Sequence, residues 1–211
     1  MPKLVDREAR RRDVIDAVFR IVVRDGLQRA SLRTVADEAA LNIGSVRHYF
    51  ASQQELMRFA MESMLERVTA RLTRRVDRIG ALAGHPVAEQ LRLTADLLGE
   101  LLPLDDLRRA EVTVFLDFTT AARTDPAFAD LSRKAATGTR TLIHHVLARL
   151  AGSGALGPGR DVPAETERLA ALIDGLCLTA VLHPSVVTPA HCSGTLRAHL
   201  AELATPAPAA P

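Results

Sequence analysis

The chain has 211 residues, with Lys+Arg 27 against Asp+Glu 25, hydrophobic residues at 47% and aromatic residues at 3%. That length can bury a sizeable core in one or two domains, and the balance of apolar and charged residues excludes wholesale disorder and fibrous repeats. With Trp 0 and Tyr 1 the composition disfavours sheet, because strands draw on β-branched and aromatic side chains. The most apolar stretch, residues 169–182, is broken by Asp174 and Gly175 and falls short of the ~20 residues a membrane span needs. Asp6, Arg7, Glu8, Arg10, Arg11 and Arg12 precede any apolar run, unlike a secretory signal. The two cysteines, Cys177 and Cys192, make no disulfide framework. A soluble cytoplasmic protein is the expectation.

In chain order, the apolar residues Val14, Ile15, Val18, Phe19, Ile21 and Val22 are spaced for one helix over 7–24, stopped by Asp25-Gly26. Ser31 is placed to cap a short helix over 32–39 or 40, with Leu32, Val35, Ala36 and Ala39 on its apolar stripe. Asn42 is placed to cap a second short helix from Ile43 to about Phe50. Ser52 opens a long one with Gln54 and Glu55 in its first turn, running through Leu56, Phe59, Ala60, Met64, Val68 and Leu72 to about Ala81. Ala83-Gly84-His85-Pro86 ends it. Further helices are expected over about 87–102 and 105–123, and from Asp125-Pro126 through Leu142, Val146 and Leu150. A Gly/Pro loop follows over 151–162, then a strongly apolar helix over 163–182, a last short one over 195–203, and a Pro/Ala tail over 205–211. The reading is about nine helices and no strand.

Charge is unevenly spread. Residues 1–75 carry 15 basic and 10 acidic side chains, residues 76–211 carry 12 and 15. One basic end suits a polyanionic partner for that end alone. Two short helices joined by a tight turn are the layout of a helix-turn-helix, whose second helix enters the major groove while the first crosses the backbone. The run from Ser31 to Leu56, SLRTVADEAALNIGSVRHYFASQQEL, sharpens this. At Ser31, Val35, Ala36, Ala39, Ala40, Asn42, Gly44, Ser45, His48-Tyr49-Phe50, Ser52 and Glu55-Leu56 it closely resembles the TetR family of transcriptional regulators. The resemblance covers about residues 7–68. Residues 172–184, LIDGLCLTAVLHP, and the LRAHLAEL after them are similar to the last helices of a BetI-type regulatory domain.

The resemblance implies an all-α fold. Its parts are an N-terminal three-helix DNA-binding domain over 7–68, a helical ligand-binding and dimerisation domain over 69–204, and a disordered tail over 205–211. It implies a dimeric repressor that binds a pseudo-palindromic double-stranded operator, needs no cofactor, and is released by a small-molecule effector. Gly44 allows close backbone approach to phosphate. Ser45 suits base edges or phosphate, and Arg47 can donate twice to guanine. Ser31, Thr34, His48, Tyr49 and Ser52 offer donors to phosphate oxygens. Phe50 is expected in the core. The chain departs from the family pattern at Ile43, where lysine is usual, and at Ala51 and Gln53, where proline and lysine are usual. Each phosphate partner missing from the protein makes the salt dependence shallower by roughly one slope unit. Arg7, Arg10, Arg11 and Arg12 can offset this by reaching the DNA backbone or minor groove, and Ile43 can instead pack on a thymine methyl.

For the rest of the chain, Leu169, Leu172, Ile173, Leu176, Ala180, Leu196, Leu200 and Leu203 are candidates for a dimer interface packed as a four-helix bundle. Phe59, Met64, Phe115 and Phe118, with Asp117, His144 and Cys177 as polar anchors, are candidates for a ligand cavity. With so few aromatics, the box that holds quaternary ammonium ligands is not evident, and choline-type sensing is not expected. The sequence has no Gly-x-Ser-x-Gly elbow, no Gly-rich phosphate loop and no Cys-x-x-Cys, and His144-His145 point to different helix faces, so neither an enzyme nor a metal site is expected. The rival is a helical small-molecule-binding or interaction protein whose helix-turn-helix has weakened DNA binding.

Overall fold

The computed structural model describes residues 7–80, 82 and 84–205. Among these there are nine α-helices and no strand: α1 Arg7–Asp25, α2 Leu32–Glu38, α3 Ile43–Tyr49, α4 Gln53–Ile79, α5 Val87–Leu98, α6 Asp106–Ala122, α7 Ala129–Gly152, α8 Val162–Leu182 and α9 Pro189–Leu203. Single turns of 3-10 helix lie at Leu27–Arg29, Gly99–Leu101 and Pro126–Phe128. No helix is long and apolar enough to cross a membrane, and no group of His, Cys, Asp and Glu could hold a metal ion, among the described residues. The tail beyond Thr205, the Arg7 side chain, Ala81 at the expected end of the long helix and Ala83 in its stop signal lie outside them.

Two compact units divide the chain. The first takes in the chain up to Arg67 together with Thr113–Arg133; the second takes in Val68–Val112 and the chain from Lys134 onward. The sequence predicts a single boundary after residue 68, whereas the first unit also includes the second half of α6 and the start of α7.

In the first unit the core forms as the periodicity of α1 requires. Val14, Val18, Ile21 and Val22 pack with Val35, Ala36, Val46, Phe50, Leu56, Met57, Ala60, Met61 and Met64, all nearly inaccessible. Val114, Phe118, Phe128 and Leu131 complete it, with the Phe118 and Phe128 rings edge to face at 5.5 Å. Arg58 fastens the same segment from outside, donating to Asp130 at 2.7 and 2.8 Å and to the Ala127 carbonyl at 2.5 Å. The bond to Arg58 holds the Asp130 carboxyl down at about 2, below the ordinary value.

The second unit is organised around α8 and α9. Leu169, Ile173 and Ala180 of α8 and Cys192, Leu196, Leu200 and Leu203 of α9 are buried within this single chain. A charged network accompanies them: Arg71 donates twice to Glu111, at 3.0 and 2.6 Å, and its Nε lies 2.9 Å from Glu100. α9 starts six residues earlier than the sequence predicts. Thr188 forms a capping box with His191, and Pro189 occupies the first turn, a start signal that the helical spacing of the leucines does not reveal.

Candidate nucleic-acid interface

The interface is built from α2, the turn after it and α3. Ser31 caps α2 reciprocally: the Thr34 N–H donates to Ser31 Oγ at 3.1 Å, and the Ser31 N–H donates to Thr34 Oγ1 at 2.9 Å. Thr34 Oγ1 also donates to the Arg29 carbonyl at 2.7 Å, so its hydrogen is engaged inside the cap. Ser31 Oγ lies 3.0 Å from Thr34 Oγ1, and with the Thr34 hydrogen committed to Arg29, Ser31 is the donor of that pair. α2 ends with Ala40 in the left-handed region at φ 53. There the Leu41 N–H reaches back to the Ala36 carbonyl at 2.9 Å and the Ala40 N–H to Asp37 at 3.1 Å. This is a Schellman ending in which alanine takes the place that glycine prefers.

Asn42 then opens α3, its Oδ1 accepting from the Gly44 N–H at 2.7 Å and the Ser45 N–H at 3.2 Å. A Cβ on Gly44 would lie 2.9 Å from that same oxygen. A side chain at Gly44 would therefore displace the cap oxygen. The Gly44 and Ser45 amides are already bonded within the cap, and Asn42 itself is exposed. α3 sorts its residues cleanly: Val46 and the following Phe50 are buried, Ile43 and Tyr49 pack half-buried on the core, and Gly44, Ser45, Arg47 and His48 are exposed. Asn42, Gly44, Ser45, His48 and Tyr49 line an open hollow of about 410 Å³. Arg47 has no hydrogen-bond or ion-pair partner among the described residues. At the start of α4, Ser52 Oγ accepts from the Glu55 N–H at 3.0 Å while Glu55 accepts from the Ala51 N–H at 2.7 Å, and Gln53 is exposed.

α2 is tied to α1 by Glu38, which accepts from Arg20 at 2.7 Å and Arg24 at 3.1 Å; these bonds, Arg20 first, hold its carboxyl below the usual range. A second tie comes from outside the motif. Asp117 of α6 accepts the Leu27 N–H at 3.2 Å, and burial pushes its carboxyl up. Two arginines of the expected basic arm are engaged within the chain. The Arg11 guanidinium carbon lies over the Phe59 ring, 3.9 Å from its centroid, and Arg10 sits 4.0 Å from Asp13. Sequence reasoning missed Arg29 and Arg33, which are exposed beside the α2 cap with no partner among the described residues. Their signal was their position, flanking Ser31 on both sides.

The residues expected to line a ligand cavity are dispersed. Met64 and Phe118 are fully packed in the first unit's core, Phe59 is covered by Phe50 and Arg11, and Phe115 packs on the same core. Asp117 serves Leu27. In the second unit His144 is exposed, and Cys177 is buried, its thiol donating to the Leu101 carbonyl at 3.3 Å and pushed up to about 12 by burial. The dimer candidates fare similarly. Leu169, Ile173, Ala180, Leu196, Leu200 and Leu203 are at most 2% exposed within one chain, while Leu172 and Leu176 are half-buried. The exposed face of α8 is instead Ala171, Gly175, Leu178 and Leu182.

A model of the BetI-type transcriptional repressor C-terminal domain matches residues 87–205. The HTH-type transcriptional regulator PksA of Bacillus subtilis (strain 168) is 36% identical over 184 residues, 87% of this chain and 84% of its own length. BetI of Burkholderia mallei (strain NCTC 10229) is 32% identical over 184 residues, 86% and 87% of the two chains. The crystal structure of a transcriptional regulator from Rhodococcus sp. Rha1 superposes with a TM-score of 0.75 at 28% identity, covering 92% of this chain and 95% of that one. The capped helix-turn-helix, the all-helical fold and these likenesses agree: the chain belongs to the TetR family of DNA-binding transcriptional regulators, a non-enzymatic family, and carries a BetI-type C-terminal domain.

Proposed function

We propose that α3 enters the major groove, with α2 crossing the backbone, and that the chain acts as a dimeric repressor released by a small-molecule ligand. The observation that carries the reading is the exposed face of α3, where Gly44, Ser45, Arg47 and His48 stand together on a helix fixed by Val46 and Phe50. Arg47, unpartnered among the described residues, is the base reader, placing two donors on guanine O6 and N7. Ser45 and His48 flank it. Ser31, the Asn42 amide, Tyr49, Ser52 and Gln53 meet phosphates and set register. Thr34 serves the cap and Ile43 supports the helix from its half-buried side. Arg29 and Arg33 supply the cationic contacts that Ile43 and Gln53 do not.

Dimerisation follows from geometry, since one recognition helix reads only a few base pairs. The surface that supports it is the small and apolar stripe Ala171, Gly175, Leu178 and Leu182 on α8. Leu178 and Leu182 are 46% and 60% exposed, a cost a partner copy removes. Ligand then shifts the population toward a dimer whose recognition helices no longer match the half-sites.

Selection of duplexes from a randomised pool by the full-length protein tests the reading. It should enrich two inverted half-sites with centres about one or two helical turns apart, roughly 10 bp per turn. A pool that stays random through repeated rounds would count against it and favour an interaction protein that no longer reads DNA.

A further inference from the structure

We propose that the second unit holds a binding site for a small carboxylate with an apolar body about the size of a benzene ring. A cavity of about 160 Å³ lies among residues of α4, α5, α6 and α9, and three guanidiniums line it: Arg75, Arg108 and Arg197. They differ in what already holds them. Arg108 is fixed, donating to Asp105 at 3.0 Å and to the Gly99 carbonyl at 3.2 Å. Arg75 comes no nearer than 3.7 Å to Glu100, and its Nε is buried without an acceptor. Arg197 has no hydrogen-bond or ion-pair partner among the described residues.

The acids nearby pair with Arg108 and, more loosely, with Arg75, and leave Arg197 without a counter-charge among the described residues. Glu100 is shared with Arg71, which it meets at 2.9 Å, and with Arg108 at 3.6 Å. Asp96, the one acid lining the cavity, already accepts from Arg92 at 2.9 Å. Two guanidiniums with donors to spare therefore face one small space, the arrangement that suits a planar, bidentate carboxylate. The remaining wall includes Leu104 and Leu196, which suit a short apolar body, and the Ser193 hydroxyl, which donates to the Ala190 carbonyl at 3.2 Å. An apolar cavity of ~150 Å³ takes up benzene, which sets the size of that body. A cationic effector has no counterpart here, because the one lining acid is already paired.

That this ligand releases DNA rests on the effector reading above; the site itself does not. Isothermal titration of the full-length protein with benzoate and hexanoate tests it, beside benzamide as a neutral isostere and inorganic phosphate as an anion without an apolar body. At least one carboxylate should bind tenfold or more tightly than both controls. Arg197→Gln should lower that affinity at least tenfold and Arg197→Lys should restore part of it, while the unliganded melting temperature stays unchanged. The site is wrong if neither carboxylate binds, if either control matches them, or if Arg197→Gln binds as well as the parent. Operator affinity measured on the same preparation, with and without the carboxylate, separates the two readings. Intact DNA binding with no carboxylate uptake overturns the site alone. Carboxylate uptake that leaves DNA affinity unchanged overturns its role as the effector.

Discussion

Asn42 and Gly44 act as one device. The Asn42 side chain closes the first turn of α3 at 2.7 and 3.2 Å, and only a residue without a Cβ leaves that oxygen in place. Asn42→Ala should destabilise the protein by about 1 kcal/mol, the usual range being about 0.5–2. Gly44→Ala should cost a similar amount by displacing the same oxygen. Because both remove one interaction, the double variant should cost clearly less than the sum in urea unfolding; additive losses would separate the glycine from the cap. The caps themselves were legible in the sequence, since Ser31, Asn42 and Ser52 act on backbone within three residues of themselves. What each cap withholds from DNA was not. The engaged Thr34 hydroxyl and the bonded Gly44 and Ser45 amides emerge only once donors and acceptors are paired in space.

Among the elements, α6 is the least expected. Its second half packs into the core of the first unit through Val114 and Phe118, and its Asp117 holds the 3-10 turn that leads into α2. Asp117→Ala leaves the Leu27 N–H without an acceptor and should cost about 1–3 kcal/mol. Asp117→Asn keeps an acceptor and removes a carboxylate whose folded pKa is raised, chiefly by burial. A raised carboxyl contributes most to stability below its ordinary value and loses that contribution as pH rises through the folded value. Asp117→Asn should therefore be at least as stable as the parent at pH 7.5, read as the urea midpoint; a loss equal to that of the alanine variant would show that the charge itself is needed.

α9 offers the opposite sign. Burial lowers the His199 pKa, and its Nε2 is buried without a partner. Its neutral form fits the fold, so its contribution is present above the ordinary value of 6.5 and is lost as pH falls through the lowered one. The melting temperature of the parent should fall more between pH 7.5 and 5.5 than that of His199→Leu. Equal falls would contradict it. Sequence periodicity finds α9 but begins it at Thr195, because the Thr188-Pro189 start precedes the first regularly spaced leucine.

At the scale of the molecule, α8 shows where sequence reading stops. It is apolar on more than one face, so its pattern identifies a helix without saying which face its own chain covers. Leu169, Ile173 and Ala180 turn inward, and Leu178 and Leu182 remain outside. In sedimentation at micromolar concentration the parent should give dimers, and replacing both with glutamate should give monomers with the helical circular dichroism intact; a variant that stays dimeric would place the interface elsewhere. The cavity candidates meet a related limit. Met64 and Phe118 have the spacing of inward residues, and spacing cannot distinguish packed core from cavity wall. The discontinuous first unit escaped the sequence reading as well, because residues 113–133 join it through contacts distant in the chain.

The most direct test of the DNA-reading face is fluorescence anisotropy of the full-length protein on a selected duplex and on its scrambled counterpart, at two salt concentrations, beside Arg47→Ala. The parent should prefer the selected duplex by about 10³-fold or more and weaken on both as salt rises. Arg47→Ala should lose about 1–3 kcal/mol on the selected duplex while keeping its salt slope nearly unchanged, because a base contact is removed and the phosphate contacts stay. Equal affinity of parent and variant for the selected duplex, or a parent that does not distinguish the two duplexes, would contradict α3 as the reading helix.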